Sequence, residues 1–65
     1  MDNVRVIHHH ESDGWWAESP DLDGWSVVGA TYAEVVTLSE ESVTLSMGRR
    51  VALEHIVSAG GNVAA

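Results

Sequence analysis

The 65-residue chain contains no cysteine, which removes two common supports of small domains. Disulfides and thiolate zinc sites are excluded, and a reducing compartment is compatible with the sequence. A domain of this size buries only about 60% of the surface that its unfolded chain exposes, so its own core is marginal. Oligomerisation, a metal held without thiolates, or unusually good packing is therefore expected to add stability.

The chain also lacks lysine, and its only cations besides histidine are Arg5, Arg49 and Arg50, against ten Asp and Glu residues and a net charge of −7. Nucleic-acid binding draws most of its affinity from Lys and Arg on phosphates, so direct DNA or RNA binding is not expected. An acidic surface favours a basic protein partner, or it serves only to keep a small protein in solution.

Long apolar runs are absent as well. No stretch reaches the roughly 18 apolar residues of a membrane-spanning helix. The N-terminal residues lack the basic start and apolar middle of a signal peptide, so the expected compartment is the cytoplasm.

Alternating residues and turn signals predict three strands in the first half of the chain. Asn3–Glu11 alternates along its length, and Gly14 ends a predicted hairpin turn. Short strands are predicted over Trp15–Ser19, where Pro20 stops the strand, and over Trp25–Gly29. Because their connections are short, these strands are expected to form an antiparallel meander.

The second half predicts one helix and one further strand. Thr31 and Glu34 form a T-x-x-E capping box, which predicts a helix over Tyr32–Met47 with Gly48 as its stop. Val51–Val57 alternates and favours a fourth strand, with a short second helix as the alternative. The result is an α+β domain of order β-β-β-α-β over residues 1–58, followed by a flexible tail over residues 59–65.

A single helix can cover only one face of such a sheet. Yet apolar side chains are predicted on both faces, since Trp15 points opposite to Trp16 and Val27 opposite to Val28. An exposed apolar face on a small domain marks an interaction site. Self-association through that face, or through an edge strand, is the simplest expectation.

Several short sequence motifs also indicate a family. A first strand ending in His-His-Glu, then Asp-Gly-Trp-Trp-Ala-Glu, Ser-Pro-Asp-Leu-Asp-Gly and Gly-x-Thr-Tyr-x-Glu, resembles the HicB-like antitoxins of bacterial toxin–antitoxin pairs and their short relatives. The resemblance runs from Val4 to Val43, and Asp23 stands where the family usually carries Pro. It implies a partial version of the double-stranded-RNA-binding fold.

The resemblance also implies a function, which is to bind a small basic toxin that cleaves messenger RNA (a HicA-like protein) and to cover its active site. Many members of the family carry a C-terminal DNA-binding segment. No such segment follows the predicted fourth strand, so a stand-alone domain without autoregulatory DNA binding is expected. Some domains of this kind lack a toxin partner.

Tryptophans and acidic turn residues are the candidate contacts with a toxin or a sister subunit. Tryptophan is enriched at binding hot spots, although each of the three could instead fill the small core. One helix cannot hide all three, so at least one is expected to meet solvent or a partner. The candidate partner-binding residues are Trp15, Trp16, Trp25, Glu18, Asp21 and Asp23.

Catalytic and metal sites find little support. In a strand, His8 and His10 share a face while His9 points away, so the three rings cannot meet at one ion without a bend. They are interpreted as strand residues, with a pH effect near about pH 6 to 7 left open. No nucleophile elbow and no phosphate-binding glycine loop occurs.

The sequence therefore predicts a non-enzymatic binding protein without cofactor or metal. The leading hypothesis is a toxin-neutralising antitoxin. The alternatives are a homo-oligomeric domain of the same fold without a toxin partner, and an RNA-binding domain, which the negative charge disfavours.

Overall fold

The computed structural model describes residues 3–58 and consists of a four-stranded mixed sheet with one helix against it. The elements are β1 (Asn3–Glu11), β2 (Gly14–Glu18), β3 (Ser26–Gly29), α1 (Tyr32–Met47) and β4 (Ala52–Val57). The strand order in the sheet is β3-β2-β1-β4. The predicted α+β fold of order β-β-β-α-β is thereby confirmed.

The first three strands form the predicted antiparallel meander, and β4 runs parallel to β1. Residues 52–57 form a strand, so the alternative of a second short helix is wrong. β3 and β4 therefore run in the same direction, and α1 joins them by crossing over β2 and β1. This crossing places the helix on one face of the sheet. The predicted tail over residues 59–65 lies outside the described residues.

Helix α1 is fixed at both ends by its caps. The Thr31 hydroxyl accepts a hydrogen bond from the Glu34 amide at 3.1 Å, and the Glu34 carboxylate accepts from the Ala30 amide at 2.8 Å. The capping box is thus present, with Glu34 reaching one residue further back than its usual target. At the other end Gly48 adopts φ +75° and donates to the Thr44 carbonyl. Within residues 3–58 no helix is long and apolar enough to span a membrane.

The core between α1 and the sheet is built from small side chains. Its fully or nearly buried apolar residues are Val4, Val6, Ala17, Val35 and Val43. Larger side chains pack around this cluster while remaining partly exposed, namely Trp15, Leu22, Trp25, Val27, Val51 and Leu53. Burying a whole valine side chain contributes about 1.5 to 3 kcal/mol, so a core of this kind leaves the fold little stability to spare.

Candidate functional site

The face of the sheet opposite α1, called here the open face, presents an apolar strip across all four strands. Ile7 of β1 pairs with Ile56 of β4, and Trp16 of β2 pairs with Val28 of β3. Val28 is 71% exposed and Ile56 is 37% exposed. Apolar side chains of this size are seldom left in a contiguous patch unless something covers them.

Trp16 is held in place at the centre of this strip. Its ring stacks on His9 of the neighbouring strand with centroids 4.3 Å apart, and its Nε1 donates to a Glu11 carboxylate oxygen at 3.1 Å. His9 Nε2 lies 2.8 Å from a carboxylate oxygen of Glu18. Because the indole is already ordered, a partner that binds it loses less conformational entropy.

Carboxylates surround the strip. Glu11, Glu18 and Glu54 occupy alternate positions that belong to the open face. Arg5 shares this face, but its guanidinium binds both carboxylate oxygens of Asp21, at 3.0 and 3.2 Å. This side-chain hydrogen bond lowers the pKa of Asp21 below its ordinary value. With Arg5 paired in this way, the open face presents net negative charge.

A hollow of about 450 Å³ lies where the loop after β2 meets this face. Trp16 and Trp25 contribute aromatic walls, and Glu18 and Asp23 contribute carboxylates. The other lining residues are Ser19, Pro20, Leu22, Gly24 and Ser26. Two indoles and two carboxylates without a lining cation suit an Arg or Lys side chain, through cation–π contact and ion pairing.

Four of the six predicted contact residues come together at this hollow, and two do not. The Asp21 carboxylate forms an ion pair with Arg5 within the chain. Trp15 lies on the helix side of the sheet, where it stacks on His10 at 4.4 Å and meets the edge of Tyr32 at 5.3 Å. Trp25 has a double role, since its Nε1 also donates to Ser42 of α1 at 2.8 Å and so anchors the loop to the helix.

The sequence predicts an apolar second face, but the predicted contact residues do not include its aliphatic half. Ile7, Val28 and Ile56 extend the strip on both sides of Trp16. The signal was present, because strict alternation placed Val28 opposite to Val27. The sequence could not show that Val28 is exposed, because alternation defines two faces of a strand without indicating which one the helix covers.

The three-histidine run is divided between environments. His8 is buried beneath α1, His9 lies on the open face, and His10 stacks on Trp15. Among residues 3–58 no group of three or more His, Asp or Glu side chains is arranged to hold a metal ion.

Comparisons of the chain with models of protein families, with curated proteins and with solved structures each find no match. The function of the open face is therefore inferred from its own side chains. They comprise an exposed apolar strip, an ordered indole and a rim of carboxylates.

Proposed function

We propose that this chain is an antitoxin-like binding protein that neutralises a small, basic, RNA-cleaving toxin. It acts in the cytoplasm by covering the toxin's active site with its open face, and it has no catalytic role. The observation that carries the proposal is the exposed apolar strip around Trp16 with its rim of carboxylates. The resemblance of residues 4–43 to HicB-like antitoxins supports the class of partner.

The strip supplies the attraction and the rim supplies the selectivity. Removing Val28, Trp16 and Ile56 from water stabilises a complex through the hydrophobic effect. Carboxylates around such a patch speed encounter with a basic surface and repel acidic ones. The hollow beside Trp25 accepts a cationic side chain from the partner, which fixes the orientation of the two proteins.

Coverage by an acidic face suits inhibition of an RNA-cleaving protein. Such an enzyme must hold phosphates with Lys or Arg side chains. Glu11, Glu18 and Glu54 present negative charge on one surface and compete for those cations. The same carboxylates repel RNA, so the RNA-binding alternative receives no support from the open face.

Co-expression tests this function. A small basic RNA-cleaving protein encoded beside the gene for this chain is the expected partner. The chain should restore growth of cells that produce it and should co-purify with it. Val28→Arg should abolish both growth rescue and co-purification, because it adds bulk to the interface and places a positive charge against the basic partner.

Thr37→Arg is the matched control, since Thr37 is similar to valine in size and is exposed on α1, away from the open face. It should leave growth rescue and co-purification intact. Absence of rescue together with absence of a complex for the wild-type chain would overturn the proposal. Equal loss of growth rescue in the Val28→Arg and Thr37→Arg variants would show that the open face is not the contact surface.

A second function, a homo-oligomeric domain without a toxin partner, is favoured by a different surface. A groove of about 860 Å³ runs between α1 and β4, and its lining residues are Glu40, Glu41, Thr44, Leu45, Arg50, Val51, Ala52 and Leu53. Glu41 and Arg50 place opposite charges in one groove, so two copies related by a twofold axis can pair them reciprocally.

Light scattering on charge-exchange variants tests this dimer. The wild-type chain should have the mass of a dimer, Arg50→Glu and Glu41→Arg should each reduce it towards the monomer, and the double variant should restore it. A wild-type chain that is monomeric at high concentration would rule the dimer out.

A further inference from the structure

Two histidines form a hydrogen-bonded pair beneath the helix. His8 of β1 is 0% exposed, and its Nε2 lies 2.8 Å from Nδ1 of His55 on β4. The remaining ring nitrogens, His8 Nδ1 and His55 Nε2, are buried without a hydrogen-bond partner in residues 3–58. The nearest carboxylate is Glu40 of α1, with an oxygen 3.8 Å from His55 Nε2.

One hydrogen bond between two imidazoles requires one donor and one acceptor, so the accepting ring is neutral, and both rings are neutral until the pair takes up a further proton. If His8 Nε2–H donates, His55 carries its own proton on Nε2, which then faces the Glu40 carboxylate. In the opposite tautomer, His55 Nε2 would present a lone pair to that carboxylate. The charge of Glu40 therefore selects the arrangement in which His8 donates.

This arrangement leaves His8 Nδ1 as the free basic site, and it is poorly placed to hold a proton. Tyr32 of α1 packs against the ring at a centroid distance of 4.7 Å, and the apolar Ala17 is its cross-strand neighbour on β2. His55 and His9 are the neighbouring titratable groups, and both oppose a positive charge on His8. Burial is the main reason that the pKa of His8 lies below its ordinary value.

The pair joins an edge strand to the rest of the domain. β4 pairs with β1 alone, and His55 is its link to both β1 and α1 through His8 and Glu40. Just beyond β4, the Ser58 amide donates to the carbonyl of His8 at 2.9 Å. A change in the protonation of His8 therefore alters contacts that hold β4 in the sheet.

We propose that the His8–His55 pair is an acid-sensitive latch that holds β4 against β1. An added proton leaves the N–H···N bond between the rings possible, but it places a cation on fully buried groups, and this favours a state in which β4 is detached and the imidazoles are in water. Detachment exposes the edge of β1 to pairing with another strand. It also removes Ile56 from the open face.

Amide hydrogen exchange on the free wild-type chain tests the latch. Protection of the amides of Glu54, Ile56 and Ser58, which face β1, should fall by up to about tenfold for each pH unit below about 6.5 after correction for intrinsic rates, as expected for uptake of one proton. Protection in β2 should change less. A fall of equal size in every strand, or no fall in β4, would overturn the proposal.

Two further measurements locate the proton. His8→Gln should remove the pH dependence in β4, whereas His10→Gln, the same change at an exposed site of the same strand, should preserve it. Nitrogen NMR of the wild-type rings should show His8 still neutral at about pH 6, where an unperturbed imidazole is largely protonated, and this result does not depend on the folding of any variant. Titration of His8 near pH 6.5 without loss of β4 protection would contradict the latch.

Discussion

Trp16 Nε1 donates a hydrogen bond to a Glu11 carboxylate oxygen at 3.1 Å, across the hairpin that joins β1 and β2. The contact lies wholly on the open face, where Trp16 also stacks on His9. It therefore orders an indole that helix α1 does not cover. An ordered aromatic ring beside exposed aliphatic side chains is the kind of anchor that dominates protein interfaces.

Replacing Trp16 by alanine should mainly weaken partner binding, whereas replacing Trp15 by alanine should mainly lower stability. Trp16→Ala should weaken partner binding by about 2 kcal/mol, or roughly 30-fold, with a small loss of stability. Trp15→Ala should lower the free energy of unfolding by about 2 kcal/mol or more, because Trp15 packs on the core cluster. Urea titration and calorimetric binding measure the two effects. Equal loss of stability in both variants would contradict the assignment of faces.

Alanine at Gly14 should destabilise the domain more than alanine at Gly48. A Cβ added at Gly14 would lie 2.8 Å from the Gly29 carbonyl oxygen, so β3 would have to shift. At Gly48 a Cβ meets nothing, and only the φ of +75° opposes it, at a cost of about 1 kcal/mol. Thermal unfolding of both variants gives the comparison. A smaller effect at Gly14 than at Gly48 would show that the β2–β3 packing is looser than described.

The Thr31 cap should contribute about 1 kcal/mol to stability. Thr31→Ala removes the acceptor for the Glu34 amide. Thr37→Ala, at an exposed position within α1, is the matched control and should stay within about 0.5 kcal/mol of the wild type. Chemical unfolding followed by circular dichroism measures both. If the two variants are equally stable, the capping box does not fix the start of α1.

Stability should fall as the pH drops below about 6.5. The pKa of His8 is lowered by burial in the folded chain, whereas in the unfolded chain it stays near the ordinary value of about 6.5. The unfolded state therefore binds more protons below that pH, and unfolding becomes easier by up to about 1.4 kcal/mol per pH unit until the folded-state pKa is reached.

Asp21 acts in a separate and more acidic window. The hydrogen bond from Arg5 lowers the pKa of Asp21, so the stability it contributes is present above about pH 4 and is lost as the pH falls further. His8→Gln should flatten the curve of unfolding free energy near pH 6. Asp21→Asn should lower the curve evenly above about pH 4 and should change its slope only at lower pH. A wild-type curve that is level from about pH 7 down to pH 5 would contradict the role given to His8.

The sequence predicts the elements well because each has a local cause. Alternation in Asn3–Glu11 and the turn at Gly14 give the first hairpin. The Thr31–Glu34 box identifies the helix even though Val and Thr residues in α1 are weak helix formers. These signals act within a few residues of one another, so they can be read without the rest of the fold.

The functional surfaces depend on long-range pairing and are harder to predict. Alternation separates Trp15 from Trp16, but the crossing of α1 decides which of them is covered. The contact of His8 with His55 depends on β4 pairing parallel to β1 in one register, and nothing local to either histidine specifies it. Asp21 looks like a free acidic residue until the fold brings Arg5 to it.

The most direct test of the open face is calorimetric titration of the chain with the basic RNA-cleaving protein encoded beside its gene. The wild-type and Thr37→Arg chains should bind with similar affinity, weakening as salt rises, and Val28→Arg should bind at least about 100-fold more weakly. Undiminished binding by Val28→Arg, or no binding by the wild-type chain, would contradict the proposal that this face covers a toxin.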